Sequence, residues 1–126
     1  MTTILNSITL RLPWQDKALS PNARGVWQTK NGPRKVAQQQ GAASVNEARQ
    51  AGYYELPDRL QMWVTFHPPR RGRYDLDNAL ARLKPAIDGI FIALERDDAD
   101  VCRVVLERGT VVKGGAVTVI LGEITY

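Results

Sequence analysis

Leu60-Gln61-Met62-Trp63-Val64-Thr65-Phe66-His67-Pro68-Pro69 is the stretch on which the fold turns. Leu60, Met62, Val64 and Phe66 alternate with Gln61, Trp63 and Thr65. A period of two is the mark of a strand with one buried face. Pro68-Pro69 stops it, because proline brings no backbone N–H to a sheet ladder.

Working outward from this strand, Ile8, Leu10 and Leu12 alternate with Thr9 and Arg11 and predict an earlier strand that ends at Pro13. The polar segment from Gln15 to Pro33 carries two turn signals, Ser20-Pro21-Asn22 and Asn31-Gly32-Pro33. Arg34 to Gln50 is rich in Ala, Gln, Glu, Arg and Lys, which predicts a helix weakened at Gly41 and ended near Gly52. Beyond the central strand a second helix is expected over most of Asn78 to Leu94. Cys102, Val104 and Leu106 then alternate on a third strand, and Val117, Val119 and Leu121 on a fourth. Gly114-Gly115 between these last two favours a hairpin. The order strand, helix, strand, helix, strand, strand predicts an α+β domain, a single mixed β-sheet with helices packed on it. No internal repeat or domain boundary is visible, so residues 1–126 read as a single domain.

Composition narrows the function. A chain of 126 residues is long enough for a core of its own. No apolar run approaches the roughly 18 residues of a membrane span, and Met1 to Leu12 lacks the features of a signal peptide. The single cysteine, Cys102, cannot form an internal disulfide, which makes an intracellular setting the default. One Cys and one His cannot build a zinc cage within a chain, so any metal must be held mainly by oxygen. Lys and Arg number 17 against 13 Asp and Glu, a net charge of +4. Lys30, Arg34 and Lys35 cluster, as do Arg70, Arg71 and Arg73, while acids gather between Asp75 and Asp100. Basic clusters beside an acidic knot suggest a polyanion held against a metal site.

The segment Arg70-Arg71-Gly72-Arg73-Tyr74-Asp75-Leu76-Asp77-Asn78 joins the two. If Tyr74 to Asp77 is extended, Asp75 and Asp77 point the same way. Two converging carboxylates suit Mg²⁺, a hard ion that retains waters for a substrate phosphate. The alternative is that one of them simply caps the second helix. Asp77, Lys84 and Asp88 fall within about 40° of one helical face. Lys84 is thus either a phosphate contact on an acidic face or half of an ordinary ion pair with Asp88. Asp97-Asp98 is either solvated loop or the source of a third carboxylate.

The ordered set of an Arg-rich lead, Asp75-Leu76-Asp77-Asn78, a downstream Lys84 and Asp88, and Asp97-Asp98 before two closing strands resembles the RusA family of Holliday junction resolvases. Ser20-Pro21-Asn22-Ala23-Arg24, followed by Trp27 and Lys30, resembles that family's N-terminal loop. Val112-Lys113-Gly114-Gly115 resembles its last hairpin. The resemblance spans Ser20 to about Gly115. It implies a homodimer, phage-like or bacterial and cytoplasmic, that uses Mg²⁺ or Mn²⁺ to cut two opposing strands of four-way DNA. It implies Asp75, Asp77 and Asp98 as catalytic acids and metal ligands, with Lys84 beside them. It further implies DNA contacts at Arg70, Arg71 and Arg73, and Asn22, Arg24 and Lys30 are candidates for the same work. The best-known members place the lysine four residues after the second Asp, and here the spacing is seven; both spacings return to one helical face.

One geometric difficulty accompanies this expectation. A continuous helix from Asn78 to Glu95 is about 27 Å long and carries Asp98 far from Asp75 and Asp77. Either Pro85 and Gly89 break the helix and fold it back, or Asp98 serves the partner subunit. His67 and Trp63 read as structural and Cys102 as a core residue, while Trp14 and Trp27 are open to stacking on unpaired bases. The competing expectation is a nucleic-acid-binding module without catalysis, and a third is a metal nuclease for other branched DNA or RNA.

Overall fold

The computed structural model describes residues 7–20, 27–52 and 55–124, with the side chains of residues 27–30 outside that description. Its elements run β1 (Ser7–Leu12), α1 (Trp27–Ala51), β2 (Leu60–His67), α2 (Leu76–Leu94), β3 (Val101–Arg108) and β4 (Ala116–Gly122). Short 3-10 turns at Lys17–Leu19 and Asp98–Asp100 complete it. The chain is α+β, with a single mixed four-stranded sheet in the order β1-β4-β2-β3.

Alternation sets the faces of the sheet. Leu60, Met62, Val64 and Phe66 are buried on one face of β2, together with Ile8, Leu10 and Leu12 of β1 and Val117, Val119 and Leu121 of β4. Both helices cover that face. The apolar stripe of α1 is Ala37, Gly41, Ser44, Val45 and Ala48, spaced as one helical face requires. From α2 come Leu83, Ala86, Ile87, Ile90 and Phe91. The two helices touch through reciprocal glycines: a Cβ at Gly41 would collide with the Ala86 carbonyl, and one at Gly89 with the Gln38 carbonyl. Gly89 therefore serves close approach. It does not break the helix.

Four local expectations are corrected. Asn31-Gly32-Pro33 is not a turn but lies inside α1. Pro33 costs one backbone hydrogen bond and with Val36, Ala37 and Gln40 lines a groove shared with Trp14, Gln15 and Leu19, while burial of Ala37, Val45 and Ala48 further along anchors the helix. The expected β3–β4 hairpin does not form. β3 runs parallel to β2, and β4 pairs antiparallel with β2 and β1. Because α2 returns the chain to the start of β2, β3 and β2 finish at the same end. The link from Gly109 to Gly115 crosses the end of β2, with the Val112 N–H donating to the Pro68 carbonyl at 3.0 Å. Gly114 and Gly115 take φ of 79° and 77° within it. Cys102 is exposed. It lies at the start of an edge strand, where its Sγ accepts from Arg59 Nε at 3.3 Å. Finally, Tyr74 to Asp77 is not extended throughout, since α2 begins at Leu76.

α2 is continuous through Pro85 and ends at Glu95, in a left-handed conformation at φ 56°. Arg96 fixes the reversal, donating from Nε to Asp100 at 2.9 Å and from Nη2 to the Pro57 carbonyl at 2.9 Å. His67 is structural, its Nδ1–H donating to the Thr110 carbonyl at 2.9 Å. Among the described residues no helix is long and apolar enough to cross a membrane.

Candidate functional site

One end of the sheet gathers the Arg-rich segment, Asp75 and Asp77, while Asp98 leads into β3 at the opposite end. Leu12, Val117, Phe66 and Arg108 form a row across the first end. From this row rise the Trp14 segment, the Arg-rich segment and the N-terminus of α2. Arg70, Arg71 and Arg73 are all exposed, as are Arg34 and Lys35 on α1. Asn22 and Arg24 lie outside the described residues, as do the side chains of Trp27 and Lys30.

Asp75 occupies the cap position of α2 with extended backbone, φ −89° and ψ 136°. Its side chain makes no capping bond to the helix backbone. The carboxylate is exposed and accepts only a 3.3 Å hydrogen bond from Asn78 Nδ2 among the described residues. Asp77 is exposed within the first helical turn, where the partial positive charge of the helix start favours a carboxylate. Two acids two residues apart thus stand at one helix terminus, held there by the break between extended and helical backbone.

Arg108, at the end of β3, holds this break in place. Its Nη1 donates to the Tyr74 carbonyl at 2.7 Å, and the guanidinium lies 4.7 Å from the Tyr74 ring centre. The sequence reading missed it, because only the sheet register brings residue 108 next to residue 74.

Lys84 bridges two acids, at 3.0 Å from Asp98 and 3.4 Å from Asp88. All three side chains are about half exposed. The hydrogen bond that Lys84 donates to Asp98 is the main cause holding the Lys84 ammonium above its ordinary pKa, and the same bond holds the Asp98 carboxyl below its own. Asp97 shapes the turn by accepting from the Ala99 N–H at 2.8 Å. Both readings of Lys84 are therefore present: it makes the ion pair with Asp88, and it also meets the third acid.

Asp98 does not join Asp75 and Asp77 within one chain. Lys84 stands seven residues beyond Asp77, about 10 Å along the helix, and Asp98 is tied to Lys84. Among the described residues no three His, Cys, Asp or Glu side chains are grouped to hold an ion. Two exposed carboxylates nevertheless fit Mg²⁺, which is commonly bound through one or two, with waters and substrate phosphate filling its shell.

No protein-family profile matches the chain. It is similar to an uncharacterized protein of Xylella fastidiosa strain Temecula1, 48% identical over 94 residues. That match covers 71% of this chain and 60% of the relative, so the chain spans less than two thirds of the relative's length.

Proposed function

We propose that the chain is a Mg²⁺-dependent endonuclease that cuts branched DNA, with the four-way junction as its substrate, as its resemblance to the RusA resolvases implies. The observation that carries this reading is the cap carboxylate of Asp75. It stands beside Asp77, is spent neither on the helix nor on an ion pair among the described residues, and is preceded by three exposed arginines. A purely structural aspartate at a helix start ordinarily bonds the backbone.

Arg70, Arg71 and Arg73 bind backbone phosphates and seat the branch, a contact that carries no base sequence. Asp75 and Asp77 hold the ion, which when bound polarises the scissile phosphate and lowers the pKa of the attacking water. Arg108 fixes the Tyr74 backbone and so the direction of Asp75. The separation of Asp98 from Asp75 within a chain supports a homodimer in which Asp98 serves the partner's ion. Lys84, kept charged by Asp98 and Asp88 and tied to Asp98, goes with it and offers its ammonium to the phosphate at the partner's ion. Mixing Asp75→Asn with Asp98→Asn chains then restores part of the activity, and mixtures as inactive as either parent count against sharing.

The first experiment incubates the protein with labelled four-way junction and linear duplex, with and without Mg²⁺, beside Asp77→Asn. Paired, metal-dependent nicks in the junction alone, lost in the variant while DNA is still bound, are the expected result. Binding without cutting in any divalent metal favours the second reading, a binding module. That reading draws on the pairing of Asp98 with Lys84, which accounts for the third acid without any metal.

A further inference from the structure

β3 closes the sheet on one side, and among the described residues it pairs only with β2. Its outer edge is eight residues long with no proline to blunt it, so it presents a row of backbone donors and acceptors. Gly109 shows which of them face outward, because its N–H donates to the Phe66 carbonyl of β2 at 2.7 Å. Peptide groups alternate along a strand. Arg103, Val105 and Glu107 therefore turn theirs to β2, while Val104, Leu106 and Arg108 turn theirs out. Side chains alternate as well. Val104 and Leu106 stand level with Met62 and Val64, on the face that the helices cover, yet Val104 is 46% exposed. It borders a groove of about 310 Å³ whose apolar walls include Met62, Leu80, Ile87 and Phe91. Arg103, Val105 and Glu107 lie on the opposite face.

We infer that this edge receives the β3 strand of a second copy of the chain, paired antiparallel about a two-fold axis through Val105. The strand is self-complementary about that residue. Arg103 faces the partner's Glu107, twice by symmetry, and Val104 faces the partner's Leu106. The outward peptide groups of Val104 and Leu106 form the hydrogen-bonded pair that this register requires. Arg103 and Glu107 fall in the other kind of pair, whose side chains stand closer. Moving the axis to residue 104 or 106 sets Arg103 against Val105 or Gly109 and loses the match. The opposite edge of the sheet, β1, carries Arg11 and no acid to set against it. The pairing also bears on the separation of Asp98 from Asp75, a consequence that rests on the reading of the chain as a metal nuclease. Antiparallel strands set the start of each β3 beside the end of the other. The turn that carries Asp98 leads directly into Val101. At the far end Arg108 holds the carbonyl of Tyr74, the neighbour of Asp75. Each Asp98, with its Lys84, is thus carried toward the partner's Asp75 and Asp77.

The test combines cross-linking with charge reversal. Residue 105 lies on the axis and meets its own copy at about 4.5 Å between Cα atoms, within the span of a disulfide. In a Cys102→Ser background, Val105→Cys should oxidise to a covalent dimer, and Thr9→Cys on the opposite edge should not. Sedimentation equilibrium of Glu107→Arg, a change at an exposed side chain, should show dimerisation weakened by about 2- to 30-fold, the loss of two opposed pairs. Arg103→Glu/Glu107→Arg should recover it. A monomer at every concentration, a dimer indifferent to Glu107→Arg, or cross-linking no better at 105 than at 9 overturns this interface. If the same protein still cuts junctions, the nuclease reading stands without it. A cross-linked dimer that cuts no branched DNA in any divalent metal sustains the interface and overturns the nuclease reading.

Discussion

Tyr74 joins a buried, unpartnered hydroxyl to the residue whose backbone sets the direction of Asp75. A buried hydroxyl without a partner carries a penalty of about 1–3 kcal/mol. Tyr74→Phe should therefore hold or raise the urea midpoint, and a clear fall would mean that the hydroxyl has a partner after all. Arg108→Met, by contrast, removes both the bond to the Tyr74 carbonyl and the cation over the ring. It should lower cleavage more than it lowers stability. The Lys84–Asp98 pair makes a pH prediction. Asp98 is depressed by Lys84, so its contribution is present above the ordinary carboxylate pKa, near 4, and is lost as pH falls through the folded value. Lys84 is raised, so its contribution is complete below about 10.4 and is lost as pH rises through the still higher folded value. The stability difference between the protein and Asp98→Asn should thus be flat around neutrality, small, weakened by salt, and absent in strong acid.

Among the elements, the two helices make the sharpest contrast. Gly41→Ala and Gly89→Ala each force a methyl against backbone carbonyl, and overpacking of this kind costs about 1–3 kcal/mol or more. Gly32, in the same helix as Gly41, has nothing within 4 Å of its missing Cβ. Gly32→Ala should change stability by less than about 0.5–1 kcal/mol, because the helical gain of Ala over Gly is offset by the clash of a Cβ with the ring of the following Pro33, and denaturant titration of the three variants checks the contrast. These positions also mark where sequence was legible and where it was not. The strands could be read because alternation reports burial directly, as Leu60 to Phe66 shows. α1 could be read only from Arg34, since Asn31-Gly32-Pro33 carries every local sign of a turn yet is drawn into a helix anchored further along by the buried Ala37, Val45 and Ala48. The partner of β4 is a nonlocal choice, so Gly114-Gly115 pointed to a hairpin that the parallel return of β3 forbids. Cys102 alternates correctly with Val104 and Leu106, but its edge strand extends beyond the cover of the helices, where Val104 is itself 46% exposed. At the site, Asp75, Asp77 and the arginines were visible as neighbours in sequence. The Asp98–Lys84 contact needed the reversal at Glu95, and the Trp14–Tyr74 contact needed the segment after β1 to meet the one before α2.

For the whole molecule, charge is arranged by the end of the sheet. Arg70, Arg71 and Arg73 lead into the N-terminus of α2, while Asp97, Asp98 and Asp100 follow its far end. Binding to branched DNA should therefore weaken linearly in log affinity against log salt. Replacing Arg71 and Arg73 with Gln together should flatten that slope by nearly two units, since each phosphate contact contributes about 0.9 on duplex DNA. An unchanged slope would place the DNA elsewhere on the surface. The strand order has a further consequence. β4 follows the other strands in the chain, yet it lies between β1 and β2 and is, among the described residues, the only neighbour of β1. A ribosome making this protein delivers β1 well before β4, and the pairing of the two waits until Ala116–Gly122 has cleared the exit tunnel. The candidate site, built on the row that Val117 completes, can therefore take shape only after β4 has emerged, and a nascent chain stalled short of β4 would expose its sheet to chaperones and proteases.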